Sequence, residues 1–505
     1  MKNKTAISSM VQTACYAFAA VLLTASCAND DTTQNDKGQK TEVPAGTTAF
    51  NGFSQQGSAT RTAIVNHTKG AGASVNWSNT DKIWVKDNAG TWNQSNAVTF
   101  ATSNKAQGTF ALNGTYSQAT HDVVYTNKTI AAGAQPQVEI KSAQTQSAPN
   151  NFDHAGESGD CGIASAAKNG NDYTFTLNHK AAYLCLIPRS SNPYVNRSKL
   201  IKVEITAEDD IAGTYTIGAN GALTLASGGS KTITVTTGSG FAIDNSSDDM
   251  SKNATYAVVA PGNHKFRIRY WLRNTTDNPG GLIEGTVTRY VDINCVAGIM
   301  TDVTANLTLN NYDGHNYYMW DAQQNYWYGH EWDKASPWQP TINNMSSSLY
   351  AQNNSDLRYY YGGTTAHTSQ FQSLYNANSM AWYVVKGDPR WDQYELWTTM
   401  NHLYEGGVWL MKGNTIATKN HTTLIAMSNV APDGTTDLRV TWKEFRNTLR
   451  QTTPTNSEVQ QYFYLPATGY YRYGKLNHLG HSVQIWSSST DPRNPRTAYY
   501  LNIHD

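Results

Sequence analysis

Between about residues 48 and 309, apolar and polar residues alternate in short runs broken by Gly, Asn and Asp. In residues 200–206, Ile201, Val203 and Ile205 fall on one face and Lys202 and Glu204 on the other, the period of a half-buried strand. The runs 215–217, 222–225, 231–235, 256–259, 265–272, 285–293 and 299–309 read the same way. Asn220-Gly221 supplies the positive φ that a tight hairpin turn needs. Short strands at this spacing, with no persuasive long helix among them, predict antiparallel β-sandwich packing. Pro188, Pro193 and their polar neighbours interrupt the pattern. The expected division is therefore a β-sandwich over 48–190 and a second over 191–309.

Past Leu309 the pattern changes. Residues 310–505 hold ten of the fourteen Trp and twenty of the thirty Tyr. Trp442, Phe445 and Leu449 recur at helical spacing, with Pro454 as a stop. Residues 370–376 predict a second short helix. Strands are expected at 382–385, 408–411, 462–465, 483–486 and 498–503. Residues 310–505 thus read as a separate aromatic-rich α+β module, and the whole chain as mostly β.

The first residues are not part of this fold. Lys2 and Lys4 precede a short apolar run that ends in Ala25-Ser26-Cys27. That is the layout of a secretory signal peptide over 1–26, too short for a transmembrane helix. The placement of Cys27 resembles a bacterial lipobox, with its thiol as the atom acylated; ordinary signal cleavage beside a chance cysteine is the alternative. Residues 27–47 are polar, with almost nothing to bury, and predict a flexible tether. Within them Asp30 and Asp31 resemble the export tag that directs Bacteroidetes lipoproteins to the outer face of the outer membrane. A polar linker carrying no address is the plainer reading.

Composition narrows the partners. The chain has 38 basic and 38 acidic residues and no strong charge run, which argues against nucleic acid. Cys161, Cys185 and Cys295 lie in the folded part with no C-x-x-C and no zinc-ligand spacing. No cofactor or metal is expected. A Cys161–Cys185 disulfide is open outside the cytoplasm. Buried free thiols are the other possibility, since Cys185 sits in the apolar run 182–187.

Two family resemblances follow from longer strings. Thr60-Arg61-Thr62-Ala63-Ile64, then Trp77-Ser78-Asn79-Thr80-Asp81-Lys82-Ile83-Trp84-Val85, and the closing run 297–309 resemble the fimbrillin family, pilin-like surface lipoproteins of Bacteroidetes. Thr80 stands where the family usually has Gly. On the residues alone, Trp77 caps a strand, 79–81 turn, and Ile83 and Val85 enter the core. The strings 382–392, 396–409, 462–470, 474–476, 486–489 and 498–501 resemble the major paralogous domain of Bacteroidetes surface lipoproteins, a distant relative of the C-type-lectin-like fold. Family members usually continue past the 498–501 strand with another hairpin, so the expectation is either an incomplete module or an open sheet edge there.

The fimbrillin resemblance implies partners: other pilus subunits joined by strand addition, and the outer membrane through the lipid anchor. It also implies Arg61 as a candidate processing site, where an Arg-directed protease would release the N-terminal strand. An exposed Arg at a strand start is the alternative. In the C-terminal module, Trp320, Tyr326, Trp327, Trp332 and Trp338 form a candidate ligand-binding cluster for a glycan or host protein, since flat rings stack on sugars. Core packing is the competing use of the same rings.

Catalysis is not expected. Asp388, Asp392 and Glu395 are close in sequence, but that is not the facing geometry of a glycosidase. Trp486-Ser487-Ser488-Ser489 lacks a nucleophile elbow, and His330-Glu331 lacks the second His of a metalloprotease. The sequence therefore reads as a fimbrial tip or accessory subunit, or an adhesin, on the cell surface or fimbrium. The alternative is a stand-alone outer-membrane glycan-binding lipoprotein that does not polymerise.

Overall fold

The computed structural model describes residues 43–53, 63–70 and 72–505. All of them belong to one compact unit, Thr41–Asp505. Cys27, Asp30, Asp31 and Arg61 lie outside the described residues.

The chain is mostly β, as the alternation predicts. In the first sheet the strand Thr48–Phe53 runs between Asp172–Thr176, parallel, and Gln107–Leu112, antiparallel. Phe50 stacks on Tyr173 with ring centroids 4.8 Å apart. Trp77 is fully buried and meets Phe110 edge-on at 4.9 Å, while Ile83 and Val85 enter the same core. Two glycines make room for them. A Cβ on Gly108 would stand 2.4 Å from Val98 Cγ2 and 3.1 Å from Trp77 Cδ1, and one on Gly52 would stand 2.8 Å from Phe175 Cζ. The turn at Thr80 needs no glycine. Asp81 N–H donates to Ser78 O at 3.0 Å, and the Asp81 carboxylate accepts from Ser78 N–H at 2.6 Å.

The second core is built around Ala182–Arg189, which pairs with Thr255–Val259 and Met300–Asn306. This strand is buried on both faces, hence its unbroken apolar run. It precedes residue 190, yet both its partners follow it. Gln137–Ile140 and Ala143–Thr145 likewise pair with Ala212–Ile217 and Thr232–Ala242. In Lys199–Thr206 the alternation is broken by a register shift between Leu200 and Lys202. Leu200, Val203 and Ile205 are buried, and Ile201 is turned partly outward. The bulge's extra residue explains why the expected Ile201–Val203–Ile205 face is displaced. Gly221 takes φ +80° at the expected hairpin.

The sheet of this second region continues into the C-terminal module. The long hairpin Gly262–Asn278 and Gly281–Cys295 meets Arg390–Thr399 through the pair Thr286 and Glu395. His402–Met411 and Tyr462–Pro466 extend it. Side chains reinforce the seam: Asn278 donates to Leu403 O at 2.8 Å, and Asn456 donates to Asp292 at 2.7 Å.

Two expectations in the module are corrected. Residues 382–385 are helical, inside Ala377–Lys386. The signal was upstream: Asn376 caps the helix by accepting from Ser379 N–H at 3.0 Å. Burial of the whole run 377–383 outweighs the β-branched Val384 and Val385. Residues 442–449, expected as a helix, form no regular element. Phe445 packs with Ala377 and Leu438, whereas Leu449 joins a different cluster around Met380 and Trp391. One helical face could not serve both clusters. The shorter helix lies at Ser369–Gln372, and strands stand at the other four expected sites.

A cleft beside a free strand edge in the C-terminal module

Asn494–His504 pairs with Ser482–Asp491 and with no other strand among the described residues. Its outer edge borders a cleft of about 690 Å³. Every residue from 497 to 504 lines that cleft, so the backbone edge itself forms the wall. The opposite wall is the irregular segment 442–447, and the helix Ala377–Lys386 supplies Met380 and Val384 as part of the floor.

Local chemistry holds the walls in place. Asn447 donates to Val384 O at 2.9 Å while its own Oδ1 accepts from Thr448 N–H at 2.8 Å, the kind of side-chain bond that competes with helix formation. Trp442 is 43% exposed, with the Arg493 guanidinium 3.7 Å from its ring centroid. Tyr500 is 48% exposed. The charges at the rim are paired: Lys443 with Asp433 at 2.7 Å, Arg493 with Asp491 at 2.7 Å and Arg446 with Glu444 at 2.9 Å. The bond from Arg493 holds the Asp491 carboxyl below the usual carboxylate range. Met380 and Val384 at the floor, charged side chains paired with one another at the rim and an unpaired backbone edge together suit an extended chain with both apolar and polar side chains.

The aromatic cluster expected to bind a ligand lies elsewhere in the module, and three of its members are core. Trp320 and Tyr326 are buried, and Trp327 is 1% exposed. Trp320 donates to Ser487 O at 2.9 Å. Tyr326 stacks on Tyr471 at 5.5 Å, and Trp327 meets both rings edge-on. Rings enclosed in this way have no face left for a sugar. Aromatics fill this interior because residues 310–340 contain few aliphatic side chains. Trp332 and Trp338 are half-buried; Trp332 packs against the Trp397 and Met400 cluster, and Trp338 stacks on His330 at 3.3 Å.

The three carboxylates considered for catalysis are tied into structure. Burial raises Asp388, but bonds from Tyr462, Arg390 and Arg450 outweigh it and hold the carboxyl at about 2. Asp392 pairs with Arg269 and accepts from Trp409 Nε1 at 3.2 Å. Glu395 accepts from Thr286 Oγ1 at 3.1 Å and Thr288 Oγ1 at 2.6 Å. Burial, then the neighbouring Asp392, pushes the Glu395 carboxyl up. Cys161, Cys185 and Cys295 are buried free thiols.

Sequence reasoning placed a strand at 498–503 but missed the opposite wall of the cleft, because Trp442, Phe445 and Leu449 mimic helical spacing. No helix among the described residues is long and apolar enough to cross a membrane.

No family model and no curated protein matches this chain. Rather more than half of this chain is similar to several solved structures from Bacteroidetes. A proposed cell adhesion protein of Bacteroides ovatus matches at 14% identity and TM-score 0.33, over 52% of this chain and 92% of that one. The fimbrial anchor protein Mfa2 of Porphyromonas gingivalis matches at 9% identity and TM-score 0.24, over 52% and 90%. A fimbrial protein of Bacteroides ovatus matches at 9% identity and TM-score 0.24, over 60% of this chain and 56% of its own length.

Proposed function

We propose that this protein is a cell-surface fimbrial subunit or adhesin whose C-terminal module engages a partner along the cleft beside Asn494–His504. The observation that carries the reading is the unpaired strand edge bordering a cleft lined by both apolar and polar side chains. Such an edge offers main-chain hydrogen bonds for affinity and side-chain pockets for selectivity, the basis of strand addition. The occupant that fits is an extended polypeptide segment, from another subunit or from a host surface protein. Lipid anchoring at Cys27, display by way of Asp30 and Asp31, and processing at Arg61 belong to the same reading and rest on the sequence resemblance. An accessory or tip position suits a subunit that carries a recognition module after its two sandwiches.

The test is an unboiled SDS gel of the native surface fraction, blotted for this protein and compared with a Trp442→Ala, Tyr500→Ala variant. Bands far above the monomer that collapse on boiling are expected for strand-joined subunits, because all the backbone bonds of an inserted strand must break together. Loss of partner binding in the variant, with the ladder retained, would assign the cleft to an external ligand. A lone monomer that binds immobilised glycans equally well with and without the substitutions would replace this reading with the stand-alone glycan-binding lipoprotein. N-terminal sequencing should begin at Thr62 where Arg61 is processed.

A further inference from the structure

Far from the cleft, three donor side chains from distant parts of the chain converge. His67 comes from the hairpin formed by Ala63–Thr68 and Gly72–Asn76. Cys185 lies in the central strand Ala182–Arg189, and Asp302 lies beside it in Met300–Asn306, directly paired with Cys185. One nitrogen, one sulfur and one carboxylate oxygen from these residues all lie within 4.8 Å of one another.

The hydrogen bonding around His67 leaves this cluster incomplete. Tyr256 donates its hydroxyl hydrogen to Asn150 Oδ1 at 2.5 Å, so that hydroxyl must accept from His67 Nδ1, 3.0 Å away. Nδ1 therefore carries a proton, and in a neutral imidazole Nε2 is a bare lone pair. That lone pair lies 3.2 Å from Asp302 Oδ1, yet the two atoms do not meet in hydrogen-bond geometry, and both are buried without a hydrogen-bond partner. The His67 side chain is 1% exposed. A bare ring nitrogen 3.2 Å from an unpartnered carboxylate oxygen, with the Cys185 sulfur within 4.8 Å of both, is a donor set that a cation would satisfy.

We propose that His67, Cys185 and Asp302 bind a divalent transition ion of the zinc type. The mixed nitrogen, sulfur and oxygen set suits Zn²⁺, whose open sites take three protein ligands and leave a fourth position to water. The bond from His67 Nδ1 to Tyr256 fixes the tautomer that offers Nε2 to the metal, as the outer partner of a metal-bound histidine usually does. Asp302, 15% exposed at its side chain, forms the entry rim. The ion would fasten the 63–76 hairpin to the second core, adding to the bond from Gly70 N–H to Asp302 at 2.7 Å and to the Lys69–Asp248 ion pair. This inference is independent of the cleft.

The probe is Co²⁺ titrated into the full metal-free chain, followed by Zn²⁺. A thiolate-to-cobalt charge-transfer band is expected at one equivalent and should vanish when Zn²⁺ displaces the cobalt. Cys185→Ser should abolish the band and Cys295→Ser should leave it intact. His67→Gln and Asp302→Asn, the latter at the rim, should each weaken Co²⁺ binding at least about tenfold. Amide exchange in residues 63–76 should slow when Zn²⁺ is added. Absence of the band in the wild-type chain overturns the proposal. So does a band that survives Cys185→Ser, or equal affinity in both rim and histidine variants whose circular dichroism matches the wild type.

Discussion

Arg269 and Asp392 form a buried ion pair although 123 residues separate them. Arg269 belongs to the long hairpin of the second core, and Asp392 to the first long strand of the aromatic module. The guanidinium also lies near Glu395 and Glu204, whose charges favour its protonated form. Asp392→Asn should therefore leave a cation only 7% exposed without its closest counter-charge. The expected cost is about 3 kcal/mol, seen as a lower urea midpoint. An unchanged midpoint would show that the pair does not hold this seam.

Glu405 makes stability fall as pH rises. Burial, reinforced by the nearby Glu284 charge, pushes its carboxyl up to about 7 from 4.5. The folded state then holds a proton that the unfolded state releases near 4.5. Stability from this group is full below that pH and declines until the folded value is passed. Glu405→Gln should be more stable than the parent at about pH 8, by up to about 3 kcal/mol. The two should converge below 4.5, and parallel stability curves across this range would exclude the effect.

At the acid end the Arg390 knot works in the opposite direction. Glu458, which accepts from Arg390 at 2.8 Å, is held at about 2 chiefly by that bond, and Asp388 is also at about 2. Both are depressed, so their contribution is present above pH 4.5 and is lost as pH falls towards 2. Arg390→Met should flatten the acid limb of the unfolding curve while lowering stability at neutral pH.

Large rings in the module should divide into two classes. Trp327→Ala empties a fully enclosed site and should cost about 3–5 kcal/mol, visible in the melting curve. Trp442→Ala removes a ring already 43% exposed. It should change stability by less than about 1 kcal/mol while reducing partner binding in a pull-down.

The three thiols should resist alkylation in the folded protein. Burial pushes all three above the ordinary thiol range, Cys295 to about 12. Peptide mapping should find no label on Cys161, Cys185 or Cys295 before urea is added and label on all three afterwards. Early labelling of any one would contradict its burial.

Features that depend on neighbours along the chain were legible in the order of residues. Period-two alternation marked strands along residues 48–309, because a strand's two faces meet different surroundings whatever lies across from it. The expected division at 190 was not legible, since Ala182–Arg189 pairs only with strands that follow it. Ile83 and Val85 were legible as core for the same reason as the strands, whereas Trp77, read as a strand cap, is fully buried. The sharp rise in Trp and Tyr marked the change of composition after Leu309. Tertiary structure decided what depends on partners far apart in the chain. Ile201 left the core because a bulge shifted its register. Phe445 and Leu449 joined different clusters and Trp442 stayed exposed, so the three share no helical face. Trp320, Tyr326 and Trp327 became core because the fold closed over them, and a ring's suitability for a ligand is a matter of exposure that spacing does not encode. His67, Cys185 and Asp302 lie too far apart for any ligand spacing to reveal. They meet only because parallel pairing sets Asp302 against Cys185 and the hairpin brings His67 over both.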